Sequence, residues 1–212
     1  MSKKIGVLGA GTWGMALARL LSCNGNDVTV WSAIEREVTE FSETRRHPNL
    51  PGMEIPASIV FTAKIEEACT GKDLLLFVVP SVYVRNTALQ AAAFIPDGQL
   101  IVDAAKGIEP QTHLTMTQII DDELSKDGKH GHIRLVALSG PTHAEEVALD
   151  MPTTIVSASP DEEAAAIVAQ TFSSSFMRVY TNTDRRGVEL CGALKNVIAL
   201  AAGISSGLGY GD

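Results

Sequence analysis

Short apolar runs alternate with segments of helical periodicity along most of the chain. Runs such as Leu74–Val79 and Leu100–Val102 are continuously apolar, which is typical of parallel strands that are covered on both faces. The pattern predicts strands at 4–8, 27–31, 74–79, 100–103, 135–138, 153–156 and 177–180. It predicts helices at 12–24, 33–44, 81–93, 112–124, 142–149 and 161–173.

This alternation predicts a Rossmann-like, doubly wound α/β sheet with mostly parallel strands. From Asp184 onward the pattern is purely helical. We therefore expect a sheet domain over residues 1–183, followed over 184–212 by the first helix of a second, all-helical domain.

The last helical segment, Gly187–Gly203, is apolar on almost every side, which predicts a buried helix. It nevertheless carries Lys195 and Asn196 at its centre. An ammonium group that is buried without a partner is costly and often loses its proton. Small neighbours one turn away leave room for a ligand beside the amine. The alternative is a lysine that reaches solvent or pairs with Glu189.

A glycine-rich turn follows the first predicted strand. Gly9-Ala-Gly-Thr-Trp-Gly14 fits the pattern G-x-G-x-x-G between a strand and a helix, within one crossover unit. Gly9 permits the tight turn, Gly11 lets the backbone approach a pyrophosphate, and Gly14 lets the helix pack on the sheet. The helix N-terminus adds N–H groups and partial positive charge. The turn predicts a dinucleotide site; the alternative is a turn without a ligand.

The choice between NAD and NADP stays open on these residues. An NAD site usually has an acidic residue at the end of the second strand, where it binds the ribose hydroxyls. Here the nearest acid, Glu35, comes somewhat late, and Arg36 beside it is suited to a 2′-phosphate.

Polar residues follow three further strands at the edge where doubly wound sheets bind ligands. They occur in Val79-Pro-Ser81, Ala105-Lys106-Gly107 and Ser139-Gly-Pro-Thr142. Thr142 and Glu145 also fit a capping box, in which the hydroxyl only caps a helix. Lys106 has the alternative of an ordinary surface lysine.

Composition narrows the classes of partner. A net charge of −8 and a pI of about 5.1 argue against nucleic acid and anionic membranes. Cys23, Cys69 and Cys191 are widely spaced, so neither a disulfide framework nor a zinc site is indicated, and a reducing, cytoplasmic setting is expected. His130 and His132 fit solvated loop histidines better than a metal pair. We expect neither a signal peptide nor a membrane span.

Together these residues resemble the bacterial type of NAD(P)-dependent sn-glycerol-3-phosphate dehydrogenase. The resemblance runs along the whole chain in family order, and the set of motifs is more specific than any one of them. The matching segments are Gly9–Gly14, Val78–Ser81, Ala105–Glu109, Leu138–Glu146, Arg178–Asn182 and Gly187–Ile198.

The resemblance implies an oxidoreductase that interconverts dihydroxyacetone phosphate and sn-glycerol 3-phosphate with NAD or NADP, within glycerophospholipid metabolism. It implies that Lys195 gives and takes the proton, in an apolar pocket beside the reacting carbonyl, with Asn196 fixing the helix or orienting the amine. It implies that Lys106 contacts both cofactor and substrate. The remaining implied contacts are Gly140 and Thr142 to the substrate and Thr12, Trp13 and Ala144 to the dinucleotide.

Two departures from the family pattern matter. Members often carry His or Arg where this chain has Ala33 and Ile34, which favours NAD unless Arg36 substitutes. Members also continue for on the order of a hundred further residues, including an Arg-Asn pair that helps hold the substrate phosphate. We therefore keep the alternative of a non-catalytic dinucleotide-binding module.

A related β-hydroxyacid dehydrogenase is disfavoured. Its asparagine usually lies about one helical turn after the lysine, whereas Lys195 and Asn196 are adjacent here.

We expect the apolar face of residues 187–208 to be buried against another apolar surface. Without partner helices from a larger helical domain, we expect it to promote dimerisation or helix exchange.

Overall fold

An eight-stranded sheet forms the centre of the computed structural model, which describes residues 2–210. The strands in that range are β1 (Lys4–Leu8), β2 (Asp27–Trp31), β3 (Val60–Thr62), β4 (Leu74–Phe77), β5 (Leu100–Asp103), β6 (Arg134–Ser139), β7 (Thr153–Ala158) and β8 (Met177–Asn182). Their order across the sheet is β3-β2-β1-β4-β5-β6-β7-β8. The first six strands are parallel to one another.

The strand order reverses between β1 and β4, which makes that crevice the ligand-binding point of a doubly wound sheet. β7 pairs antiparallel with β6, and β8 pairs parallel with β7. The prediction of a Rossmann-like, mostly parallel sheet is therefore confirmed.

Helices cover both faces of the sheet. The α-helices are α1 (Thr12–Cys23), α2 (Glu35–Thr44), α3 (Ile65–Cys69), α4 (Val84–Ala91), α5 (Met116–Leu124), α6 (Ala144–Ala148), α7 (Glu162–Phe172) and α8 (Arg185–Gly207). One core layer packs α1, α6 and α7 against the sheet, and the other packs α3, α4 and α5. Successive side chains of β4 point to opposite faces of the sheet. Leu74 and Leu76 pack in the first layer, and Leu75 and Phe77 pack in the second.

Two short elements and several helix starts differ from the sequence prediction. The chain forms β3 and α3, which the apolar pattern did not indicate. α5 begins only at Met116, because Thr115 and Gln118 form a capping box there. The box expected at Thr142 is absent: α6 is preceded by His143 as its N-cap residue.

The expectation of a buried last helix is wrong for α8. Asp184 caps its N-terminus by accepting a hydrogen bond from the Gly187 amide at 2.8 Å. Within α8, Glu189 is the one residue classed as buried, whereas Ile198 is 73% exposed and Leu200 67%. The helix contacts the sheet at β6 and β7 through its first turns, and its outer face lies in solvent.

α8 is also long and apolar enough to cross a membrane by length and composition, contrary to the sequence expectation. Core helices of soluble proteins share this length and composition. Here the helix carries Lys195, and the buried carboxylate of Glu189 accepts a hydrogen bond from α5.

The division into two domains between residues 183 and 184 stays a prediction.

Candidate functional site

The glycine turn after β1 passes directly over the end of β4. Gly9 has a φ of +129°, and a Cβ atom there would lie 2.9 Å from the carbonyl carbon of Val78. A Cβ at Gly14 would overlap the carbonyl oxygen of Gly9. A Cβ at Gly11 would meet nothing within 4 Å. Gly9 and Gly14 therefore close the turn, while Gly11 faces open space at the N-terminus of α1.

Two adjoining cavities flank this turn. The inner cavity, of about 320 Å³, is lined by Gly11–Trp13, Val78–Ser81, Ala104–Lys106, Thr142 and Ala144. The outer cavity, of about 380 Å³, is lined by Gly9–Gly11, Trp31–Ile34, Glu37, Val78–Pro80, Tyr83, Asn86, Thr87 and Gln90. They share Gly11 and Val78–Pro80, so together they follow the carboxyl edge of the sheet across the crevice between β1 and β4.

Trp13 lines the inner cavity and also carries an unpaired polar group. Its indole Nε1 is buried and has no hydrogen-bond partner among residues 2–210. Buried donors in native proteins are normally satisfied. The indole N–H of Trp13 is therefore an exception to this rule among the described residues.

Lys106 links the turn to α6. Its Nζ donates to the Thr142 hydroxyl at 3.2 Å and lies 5.6 Å from the centre of the Trp13 ring. Burial, and then the positive charge of Lys195, lower the pKa of Lys106. Lys106 is thus not an ordinary surface lysine, and the Thr142 hydroxyl accepts from an amine rather than capping a helix.

Lys195 lies on the rim of a third cavity, of about 410 Å³, between α8 and the ends of β6 and β8. We call it the helix cavity; it is lined by Ser139–Pro141, Val156, Asn182, Asp184, Gly187, Val188, Cys191, Gly192 and Lys195. Lys195 is only partly buried and Asn196 is exposed. Lys195 therefore lines a mostly apolar cavity but is less buried than the sequence predicts, because α8 faces solvent beyond its first turns.

The predicted site residues thus fall into two neighbouring groups. Thr12, Trp13, Lys106, Thr142 and Ala144 line the inner cavity, whereas Gly140 and Lys195 line the helix cavity. The two groups meet at Gly192, which is not among the predicted site residues. A Cβ there would overlap the Ser139 hydroxyl and lie 3.9 Å from Cγ of Lys106.

Glu189 fixes the first half of α8 to the start of α5. Its carboxylate accepts from the Thr115 hydroxyl at 2.9 Å, the Thr117 amide at 2.8 Å and the Thr117 hydroxyl at 2.7 Å. A carboxylate at a helix N-terminus is favoured by the helix dipole. The alternative in which Glu189 pairs with Lys195 is therefore wrong.

Asp103, at the end of β5, was missed by the sequence analysis. Burial, and then the negative charge of Glu189, raise the pKa of Asp103 well above its ordinary value. Its Oδ1 accepts from the Ala105 amide at 3.3 Å, while Oδ2 is buried and unpaired within residues 2–210. The only hint in the sequence is an aspartate that ends an apolar strand.

The acidic residue at the outer cavity also differs from the one considered in the sequence. Glu35 and Arg36 are both exposed, and neither lines the cavity. Glu37, in the first turn of α2, does line it. Sequence spacing alone does not distinguish these neighbours.

The histidines of the 130–132 loop have structural roles. His130 is buried, contrary to expectation, and its ring nitrogens lie 3.1 Å from the Leu124 carbonyl oxygen and 2.9 Å from that of Ile95. His132 is exposed and pairs with Asp97. In the described part of the chain, no cluster of three or more His, Cys, Asp or Glu side chains is suited to a metal ion.

Comparison with known proteins identifies one family along the chain. The model of the NAD-dependent glycerol-3-phosphate dehydrogenase N-terminus matches residues 4–165, and that of the C-terminus matches residues 184–212. A glycerol-3-phosphate dehydrogenase (NAD(P)+) 2 of Lactobacillus delbrueckii subsp. bulgaricus is 69% identical over 99% of this chain and 62% of its own length. A glycerol-3-phosphate dehydrogenase (NAD(P)+) of Geobacter metallireducens is 49% identical over 100% of this chain and 62% of its own.

Solved structures give the same result. The crystal structure of glycerol-3-phosphate dehydrogenase from Coxiella burnetii superposes with a TM-score of 0.87 and 31% identity, covering 100% of this chain and 63% of that one. A Plasmodium falciparum glycerol-3-phosphate dehydrogenase gives 0.86 and 26%, covering 98% and 60%. The chain therefore spans about 62% of the length of the curated relatives it matches.

We expect Gly192→Ala to destabilise the fold, because the new Cβ would push α8 away from Ser139. Overpacking of this kind costs roughly 1–3 kcal/mol, more than the ~1 kcal/mol that alanine gains over glycine inside a helix. Chemical denaturation measures the free energy of unfolding. Ser139→Ala in the same chain should restore most of the loss.

Gly203→Ala provides the matched control for that substitution. It lies on the same helix, and its Cβ would meet nothing within 4 Å, so stabilisation of up to about 1 kcal/mol is expected. Equal stabilisation by Gly192→Ala and Gly203→Ala would show that α8 does not approach β6 as closely as described.

Proposed function

The chain belongs to the NAD-dependent glycerol-3-phosphate dehydrogenase family, and from this premise we propose that it binds NAD or NADP and carries the proton-transferring lysine for interconversion of dihydroxyacetone phosphate and sn-glycerol 3-phosphate. One observation carries the proposal. Lys106 lines the inner cavity and contacts Thr142, and it also lies against α8 at Gly192, one turn before Lys195. This contact supports placing the glycine turn and Lys195 in one site.

The residues around the glycine turn suit a dinucleotide. The first amides of α1 have no partner within the helix, and Gly11, Thr12 and Trp13 at its N-terminus line the inner cavity, which suits an anion site. Gly11 leaves the space beside them open, and the buried Trp13 N–H lacks a partner within residues 2–210. When bound, the dinucleotide supplies the hydride chemistry. The protein's part is to hold it through Gly9, Gly11, Thr12, Trp13, Gly14, Lys106 and Ala144.

Two lysines give the site positive charge in an otherwise acidic chain. Burial, and then the nearby positive charge of Lys195, lower the pKa of Lys106. Paired cations attract a small phosphorylated substrate and help orient it. Gly140 and Thr142, on the loop between β6 and α6, would complete the contacts to that substrate.

Lys195 is assigned the proton transfer. During reduction of the ketone, its ammonium would donate a proton to the carbonyl oxygen, which becomes the hydroxyl of glycerol 3-phosphate. In the reverse direction, the neutral amine would take that proton back. General acid–base groups of this kind contribute about 10²–10⁴ in rate.

A second candidate function is a dinucleotide-binding module without turnover. It is favoured by the partial exposure of Lys195 and by the exposed outer face of α8.

In either function we place the protein in the cytoplasm, consistent with its net charge of −8 and its three free cysteines.

A homodimer through the outer face of α8 is the proposed assembly. Leu194, Val197, Ile198, Leu200 and Ile204 are each more than half exposed on this one helix. A contiguous apolar surface of this kind favours association, and a second copy presents a matching face under two-fold symmetry.

We expect saturable binding of NADH to the purified chain in calorimetric titration, with affinity lowered at least tenfold by Gly11→Ala. The new methyl would occupy the space next to the α1 amides, while the loss in stability should stay near ~1 kcal/mol, as for alanine at an N-cap. Gly131→Ala is the control, since its Cβ also meets nothing within 4 Å. Tight binding that Gly11→Ala leaves unchanged would contradict the assigned site.

Oxidation of NADH driven by dihydroxyacetone phosphate separates the two candidate functions. If the chain is catalytic, Lys195→Ala should lower turnover at least about a hundredfold. Lys129→Ala is the control: it alters an exposed lysine that is distant from Lys195 in sequence, and turnover should stay unchanged. Binding of NADH without turnover would favour the module. Turnover that Lys195→Ala does not change would remove Lys195 from the reaction.

Sedimentation velocity tests the proposed dimer. The parent chain should sediment as a dimer and Ile198→Glu as a monomer, because a carboxylate would enter the apolar interface. Leu89→Glu, at an exposed apolar position of α4, should leave the dimer intact. A monomeric parent chain would rule out this assembly.

A further inference from the structure

The outer cavity contains a carboxylate that is held in place. The Ser32 hydroxyl, at the end of β2, donates to Oε2 of Glu37 at 2.6 Å. The same hydroxyl oxygen accepts from the Ile34 amide at 3.1 Å, which fixes the direction of its proton. Ser32 is only 5% exposed. Glu37 is thereby tied to the end of the second strand, although it belongs to α2.

The second oxygen of this carboxylate remains available. Among residues 2–210, Ser32 is the one hydrogen-bond partner of the Glu37 side chain, and it uses only Oε2. Oε1 can therefore accept from a hydroxyl group in the cavity. A ribose with free 2′- and 3′-hydroxyls is such a donor, and carboxylates at this end of a doubly wound sheet bind ribose in that way.

The cavity holds no compensating cation for a 2′-phosphate. None of the described residues that line it is a lysine or an arginine. Arg36, the nearest candidate in sequence, is exposed and outside the lining. A phosphate group carries between one and two negative charges near neutral pH. It would meet the carboxylate at short range in a cavity that is partly shielded from water, where repulsion is strong.

On the premise of the proposed dinucleotide function, we infer that Glu37, positioned by Ser32, makes this site select NADH over NADPH. Attraction and repulsion act together in this selection. The carboxylate accepts hydrogen bonds from the unphosphorylated ribose and disfavours the phosphorylated one. Glu37 takes the place of the acidic residue that commonly ends the second strand, where this chain has Ser32.

Calorimetric titration of NADH and NADPH into the chain tests this inference. NADH should bind at least tenfold more tightly, and added salt should narrow the difference because it screens the repulsion. Glu37→Gln should reduce the ratio at least fivefold, mainly by tightening the binding of NADPH. Glu35→Gln, the same change of charge two residues away on an exposed side chain, should leave the ratio as it is.

Ser32→Ala provides a second test that keeps the carboxylate. Without its anchoring hydroxyl, Glu37 should bind ribose less well, so NADH should weaken several-fold. Thermal unfolding of each variant verifies that it is folded.

The outcomes separate this inference from the proposed function. Equal affinity for NADH and NADPH, or a ratio that Glu37→Gln leaves unchanged, would overturn the role of Glu37 while leaving the dinucleotide site standing. Binding of neither nucleotide to the folded chain would overturn both.

Discussion

The site depends on the burial of the sheet on both faces. Helices cover each side of the parallel strands, so side chains such as Leu74–Phe77 are entirely apolar and buried. Polar side chains that bind ligands can therefore lie only where the strands end. The glycine turn after β1, Asp103 at the end of β5, and Ser139 at the end of β6 all lie at this one edge. The apolar core thus determines where a ligand can bind.

Charge at that edge is arranged in two layers. Lys106 and Lys195 lie toward the cavities, and burial and then the charge of Lys195 lower the pKa of Lys106. Asp103 and Glu189 lie behind them in the interior, where burial and Glu189 raise the pKa of Asp103. The three hydrogen bonds to Glu189 keep its carboxylate from pairing with a lysine. The lysines therefore remain available to an anionic ligand, in a chain whose net charge is negative.

Much of the fold could be predicted because its strands are apolar runs between turn residues. Residues 4–8, 27–31 and 100–103 form strands with the predicted bounds. β3 and α3 are too short to show a period, so the pattern missed them. In α8, periodicity identified an apolar helix but carried no information on which face would find a partner. Contacts between distant segments, such as Thr117 with Glu189, are set by topology and left no local pattern. Glu37 was missed because the turn after β2 brings the first turn of α2 back over the cavity.

The proposed dinucleotide site lies at the edge between β1 and β5, with Lys106 at its inner end. Hydrogen–deuterium exchange of the chain with and without NADH tests this most directly. We predict slower exchange of the amides in 9–15 and 104–107 on addition of NADH, and unchanged exchange in β8, which lines neither cavity of the proposed dinucleotide site. Unchanged exchange in 9–15 at saturating NADH, or protection confined to other segments, would contradict it.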